Sequence, residues 1–195
     1  TTHAVYGEAM GILAGDGLLN LAFETAAEAF TMEVSPRTAR AIQILSRKAG
    51  IYGMIGGQTV DVESEGQPLS REKLDFIYRL KTSALIEASM MIGAVLAGAS
   101  DQEMAAMESV ATDEGVAFQI QDDILDVTST LEVLGKPIHS DDKNHKTTYV
   151  TLEGLEKARE DVKVISERAL ATLDSLKYKN KFLEELIRML ITREK

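Results

Sequence analysis

Apolar side chains recur along this chain every three or four positions, the spacing of one helix face, and nowhere alternate for more than a few residues as a strand requires. The pattern predicts at least six helices. The first covers residues 3–31. Ser35-Pro36 restarts the chain, with Ser as N-cap and Pro at the first helical position, where its missing N–H is not needed. The second helix runs from there to residue 63. Gly66-Gln67-Pro68 makes a turn, Ser70 caps a third helix reaching residue 98, and Asp101 caps a fourth ending near residue 127. Residues 128–146 hold Gly135, Pro137 and many polar groups and read as a mobile loop. Two amphipathic, charged helices close the chain, over residues 147–176 and 179–192. No internal repeat or interdomain linker interrupts the series, so residues 1–195 read as a single all-α domain or a large part of one.

Composition narrows the function classes. Apolar residues make up 45% and charged residues 27%, enough for a sizeable core. The chain holds 21 basic and 31 acidic residues, a net charge of −10. That balance argues against nucleic acid as a partner, because phosphate backbones need clustered Lys and Arg. A small anionic substrate stays open, since metal ions reverse the local sign. The absence of cysteine rules out a disulfide framework or a thiolate metal site and fits a cytoplasmic protein. The longest apolar stretch, residues 88–100, is too short to span a bilayer, and residues 1–195 show no signal-peptide pattern. The chain opens without Met and runs straight into helical periodicity, as a chain cut from something longer would.

Candidate chemistry concentrates in Phe118-Gln119-Ile120-Gln121-Asp122-Asp123-Ile124-Leu125-Asp126-Val127. At about 100° per residue, Asp122, Asp123 and Asp126 share an arc of about 100°, with Gln119 inside it. Gly115, one turn earlier, is expected to keep that face open. Three carboxylates among apolar residues repel one another and are costly to bury. A hard cation removes that cost, and a sparse all-oxygen site suits Mg²⁺ completed by substrate phosphates, with Mn²⁺ as the alternative ion. An acidic solvent face is the competing reading, and the flanking Phe118, Ile120, Ile124, Leu125 and Val127 disfavour it.

Lys81 sits on a helical stripe with Leu74, Ile77, Tyr78, Ala84, Leu85, Ala88 and Ile92. It either snorkels to the surface or points into a cavity holding an anion, and Thr82 beside it adds a hydroxyl. Lys136 follows Gly135, and Lys146 closes the same loop, an arrangement expected of a lid that closes on phosphate and excludes water. In Gly56-Gly57-Gln58-Thr59-Val60-Asp61, Gln58 and Asp61 stand at i, i+3. Paired glycines inside a helix cost about 1 kcal/mol each against Ala, and fit where another helix or a ligand comes close. Asp16 and Asn20 share a face with Ile12, Leu19 and Phe23, which favours a buried structural hydrogen bond. Gly11, Gly15 and Gly17 suit close packing, as across a dimer interface. His3, His139 and His145 form no metal motif.

Four stretches in this order resemble the trans-isoprenyl diphosphate synthases, most like the bacterial farnesyl diphosphate synthase group. They are Gly7-Glu8-Ala9-Met10 with Ala14-Gly15-Asp16-Gly17-Leu18-Leu19; Gly56-Gly57-Gln58 with Asp61; Lys81-Thr82; and residues 118–126 with Gly135-Lys136. The resemblance covers essentially the whole chain. It implies an all-α isoprenoid synthase-type helical bundle with a deep central cavity, working as a homodimer. Such enzymes condense isopentenyl diphosphate with an allylic diphosphate. Farnesyl diphosphate is the expected product, with geranyl and geranylgeranyl products open. By position, Asp122, Asp123 and Asp126 match the second aspartate-rich, metal-binding motif. Lys81, Lys136 and Lys146 match diphosphate-binding lysines, and Thr82, Gln119 and Gln58 match polar residues lining the reacting centre.

The family's first aspartate-rich motif, the arginine pair after it and the N-terminal residues that hold isopentenyl diphosphate are absent and would precede Thr1. The chain is therefore expected to be the C-terminal part of such a domain, inactive alone, with an N-terminal segment of the same protein as partner. A non-catalytic regulatory or scaffolding subunit of the same fold would carry decayed motifs, whereas these aspartates and lysines are intact. A carboxylate-bridged di-iron bundle needs Glu-x-x-His pairs, and none occurs. A terpene cyclase commonly has Asn and Ser or Thr in its second metal motif, which here is all Asp.

Overall fold

Side-chain caps and a few glycines set where the helices begin and end. The computed structural model describes residues 2–130 and 146–193 and is all-α, with no strand among the described residues. The predicted first helix is broken at Gly7, whose φ of 86° favours glycine, into α1 (Thr2–Tyr6) and α2 (Glu8–Met32). Ser35 accepts the Thr38 N–H at 3.3 Å and starts α3 (Pro36–Ala49), as predicted.

The predicted second helix is also two. After α3 the chain folds back so tightly that a Cβ on Gly53 would stand 1.9 Å from the Lys48 carbonyl oxygen, and α4 (Met54–Glu63) follows. Ser70 caps α5 (Arg71–Ile77), which passes through a π-helical turn (Tyr78–Ser83) into α6 (Ala84–Leu96). Ser100, not Asp101, caps α7 (Asp101–Thr128). Its hydroxyl accepts the Glu103 N–H, and the Glu103 carboxylate reaches back to the Ser100 N–H at 2.8 Å. Asp101 has no such partner three residues on, where Met104 stands. Thr148 caps α8 (Tyr149–Glu153); Gly154, at φ 85°, then splits another predicted helix and α9 (Leu155–Ser175) follows. Asn180 caps α10 (Lys181–Ile191).

Helix α7 is the element on which α6, the π-helical turn, α8, α9 and α10 pack. Its Ile120 and Ile124 meet Leu74, Ile77, Tyr78, Tyr149 and Val162 in one core cluster. Its Val110 meets Ala169, Leu173 and Ile187 of α9 and α10 in another. Full burial of each such side chain contributes about 1.5–3 kcal/mol. Near its start, Met104 joins Ala41, Ile44, Ala88 and Met91 of α3 and α6. Lys48 of α3 pairs with Glu87 of α6 and, at 2.6 Å, with Glu108 of α7, which ties the same three helices. The aspartates thus sit on a helix held from several sides.

Helix α2 has no buried residue. Asp16 and Asn20 are exposed, so the expected buried hydrogen bond does not form within this chain. The helix contributes little to the core and leaves Met10, Ile12, Leu13, Leu18 and Leu21 open. A Cβ on Gly15 or Gly17 would meet nothing within 4 Å.

Candidate active site

The π-helical turn and α7 build the site together. π-helical turns inside helices are frequent at functional positions, and this one carries Lys81 and Thr82. Two glycines flank it. A Cβ on Gly57 of α4 would lie 2.3 Å from the Lys81 backbone nitrogen, and one on Gly115 of α7 would lie 2.3 Å from Ser83 Oγ. Gly115 therefore does not keep a face open, as its position suggests; Ser83 fills that space. At the next turn along the crossing, Thr82 Oγ1 donates a 2.9 Å hydrogen bond to Gln119 Oε1.

A polar pocket of about 310 Å³ opens beyond that bond, lined among others by Asp61, Lys81, Gln119, Asp122, Asp123 and Lys146. Lys81 does not snorkel away. Its Nζ lies 2.5 Å from Asp61 Oδ2, and Lys146 Nζ lies 3.6 Å from the same oxygen. Asp61 thus gathers both lysines at one point. Gln58, three residues before it on α4, is exposed and lines a neighbouring pocket that shares only Lys81 with this one. Lys136 and Gly135 lie outside the described residues, as does most of the predicted lid.

The three aspartates are not equivalent. The Asp122 side chain is 35% exposed, whereas Asp123 and Asp126 are buried. Asp122 and Asp123 line the polar pocket and Asp126 does not. Asp123 Oδ2 accepts the Tyr78 hydroxyl and, at 2.8 Å, the Tyr149 backbone N–H. Among the described residues no three His, Cys, Asp or Glu groups converge into a cage that would hold a cation unaided. The donor set nevertheless fits Mg²⁺, which is commonly bound by one or two carboxylates and takes its other ligands from water and substrate phosphate.

Sequence reasoning missed Arg193. Its guanidinium stacks 3.7 Å from the centroid of the Phe118 ring, donates to the Phe118 carbonyl at 3.1 Å and lies 3.6 Å from Asp122 Oδ1. Burial lowers its pKa, against the opposing pull of Asp122 and Glu114. Glu114 is 1% exposed, with Oε2 unbonded, and burial pushes its carboxyl up to about 7 while Arg193 pulls it down. The spacing of Glu114, Phe118 and Asp122, four residues apart on one helix stripe, was readable in the sequence; the approach of Arg193 was not.

On the other side of Thr82 lies an apolar cavity of about 1360 Å³, lined by residues of α6, α7 and α10 including Leu85, Met90, Phe118 and Leu186. The Thr82–Gln119 bond therefore stands where a polar and an apolar cavity meet. No described helix is long and apolar enough to cross a membrane.

Known proteins resemble this chain in sequence and fold. The chain is 42% identical over 161 residues to farnesyl diphosphate synthase of Geobacillus stearothermophilus, matching 82% of this chain and 54% of that protein. It is 43% identical over 174 residues to the chloroplastic heterodimeric geranylgeranyl pyrophosphate synthase large subunit 1 of Arabidopsis thaliana, matching 87% of this chain and 47% of that protein. The chain thus spans about half the length of these relatives. The structure of geranyltransferase from Helicobacter pylori complexed with magnesium and isoprenyl diphosphate superposes with a TM-score of 0.83 at 37% identity, covering 98% of this chain and 62% of that one. The sequence profile of the polyprenyl synthetase family matches residues 1–186, so this all-α chain, with its aspartate helix and facing lysines, belongs to the polyprenyl synthetase family.

Proposed function

We propose that the complete protein is a Mg²⁺-dependent trans-prenyltransferase and that residues 1–195 are the C-terminal part of its catalytic domain. It condenses isopentenyl diphosphate with dimethylallyl or geranyl diphosphate, with farnesyl diphosphate as the product and geranyl or geranylgeranyl diphosphate as the alternatives. The observation that carries this is the junction at Thr82 and Gln119. On one side lies a pocket with Lys81, Lys146 and Asp122, which suits a diphosphate; on the other lies an apolar cavity, which suits a prenyl chain.

Asp122, with Asp123 and Asp126 behind it, would hold Mg²⁺, which supplies positive charge to a departing diphosphate. Lys81 and Lys146 bind the same anion, and Asp61 keeps them positioned before it arrives. Lys136 is proposed to join them from the loop, and Gln58 to stand at the edge beside Lys81. Thr82 and Gln119 set neutral dipoles beside the reacting carbon, where a carboxylate would trap a developing cation. The apolar wall keeps out water that would quench it. The exposed apolar face of α2 suits pairing with a second copy in a homodimer, and the absence of cysteine fits a cytoplasmic enzyme.

Incubating the complete protein with both diphosphates, with and without Mg²⁺, tests the reading, with product length read by mass spectrometry. Product is expected only with the divalent ion. Asp122→Ala should lower turnover by about 10²–10³-fold, the size of losing one charge-stabilising group. Near-normal turnover in that variant overturns the assignment.

A further inference from the structure

One oxygen of Asp123 is gripped from two elements. Oδ2 accepts the Tyr78 hydroxyl from the π-helical turn and the Tyr149 N–H from the first turn of α8. The Tyr149 N–H also lies 3.4 Å from the Tyr78 oxygen, so groups from three elements meet at one point. All three residues are buried. The Tyr78 ring has an ordinary explanation, because it packs among Leu74, Ile77, Ile120 and Ile124. Its hydroxyl does not: Phe would fill the same core, and a buried hydroxyl is kept only where it has a partner.

The other end of the junction is braced as well. Arg71 stacks 4.2 Å from the centroid of the Tyr149 ring and donates to Tyr149 OH at 2.8 Å, and that hydroxyl donates to Asp161 at 2.7 Å. Arg71 is itself fixed by Asp75 and Glu153. The bonds therefore run from the outer face of α5 through Tyr149 to Asp123.

We propose that Tyr78 is a positioning residue of the metal site. Its O–H and the Tyr149 N–H fix the rotamer of Asp123 beside Asp122 and fasten the chain that enters α8, with Lys146, to the aspartate helix. Neutral donors suit this task. They orient a carboxylate without cancelling its charge, as a lysine or arginine in their place would. The proposal rests on the reading of Asp122, Asp123 and Asp126 as a metal-binding wall.

The test is Tyr78→Phe in the complete enzyme, read by Mn²⁺ binding in electron paramagnetic resonance with inorganic pyrophosphate present and by the Tm of the metal-free protein. Loss of an outer ligand-orienting group weakens metal affinity by about 10–100-fold. The expected result is a Mn²⁺ dissociation constant raised about tenfold, at the low end of that range, with little change in Tm. Unchanged Mn²⁺ affinity overturns the proposal, whether or not Tm falls, because a purely structural hydroxyl would lower Tm alone. Should Tyr78→Phe not fold, Arg71→Gln at the outer end of the same bonds must raise the Mn²⁺ constant about two- to threefold, a weaker effect from one bond further out, or the proposal falls. Asp122→Ala run alongside separates the two levels. Mn²⁺ binding that survives it removes the metal wall itself, whereas loss there with none in Tyr78→Phe removes only this proposal.

Discussion

Gly115 and Ser83 set the distance between α7 and the π-helical turn, because a Cβ on Gly115 would stand 2.3 Å from Ser83 Oγ. The Thr82–Gln119 bond belongs to the same crossing, so the dipoles proposed to line the reacting centre are placed by a glycine that touches neither of them. Gly115→Ala must force the two elements apart. It should destabilise the protein by about 1–3 kcal/mol in a urea titration, the usual size of core overpacking. Turnover should fall further than stability does, since Thr82 and Gln119 separate. Gly93→Ala is the contrast: nothing lies within 4 Å of its Cβ, and the change should stabilise α6 by about 0.5–1 kcal/mol.

Lys81 and Lys146 share Asp61 but not equally, at 2.5 and 3.6 Å. Lys81 rises from a rigid turn packed against Gly57, whereas Lys146 stands ahead of the Thr148 cap. Lys81→Met should therefore raise the KM for the allylic diphosphate more than Lys146→Met does. A charge-assisted hydrogen bond is worth about 1.5–3 kcal/mol, so the Lys81 effect should be roughly ten- to hundredfold. Steady-state kinetics on the complete enzyme checks the order. An equal or reversed order would mean that Lys81 serves Asp61 rather than the substrate.

Glu114 makes stability depend on pH. Its carboxyl sits at about 7 in the folded chain against an ordinary value of 4.5. Between those values the folded state keeps a proton that the unfolded state releases. Its contribution is thus fully present at low pH and is lost as pH rises toward about 7. The loss is on the order of 3 kcal/mol. Urea midpoints at pH 5 and pH 8 should show the wild type losing more stability over that span than Glu114→Gln does. Parallel behaviour of the two would mean that Glu114 is ionised throughout.

Periodicity covered every described helix, because each core helix carries an apolar stripe. It joined helices across Gly7, Gly50–Gly53 and Gly154, because a break of one to four residues leaves apolar residues at helical spacing on both sides. Ser35 and Ser70 were legible as caps from the residues that follow them; Ser100 lost out to the adjacent Asp101. Lys81, Thr82, Gln119 and Asp122 were legible as candidate site residues because each stands out against its own apolar helix. What joins them was not. The Lys81–Asp61, Tyr149–Asp123 and Arg193–Asp122 approaches link residues far apart in sequence and leave no local pattern. The unequal burial of Asp122, Asp123 and Asp126 was hidden too, because one helix arc looks uniform until its neighbours are in place.

Arg193 is the approach with the most consequences. Its side chain is 17% exposed, stacked on Phe118 and set between Asp122 and the buried Glu114. Arg193→Gln removes a stacked cation, worth about 0.5–2 kcal/mol, and also the charge that holds the Glu114 carboxyl down. Glu114 should then rise further above its ordinary value, and the stability lost on going from pH 5 to pH 8 should grow. Arg193→Lys keeps the charge but not the planar stack, so it should restore the pH response while leaving the stacking loss. Binding of inorganic pyrophosphate with Mg²⁺, followed by calorimetry, separates two roles. If Arg193 also faces the substrate, affinity falls in the order wild type, Arg193→Lys, Arg193→Gln. If it only anchors the end of the chain on α7, both variants bind pyrophosphate as the wild type does and differ from it in stability alone.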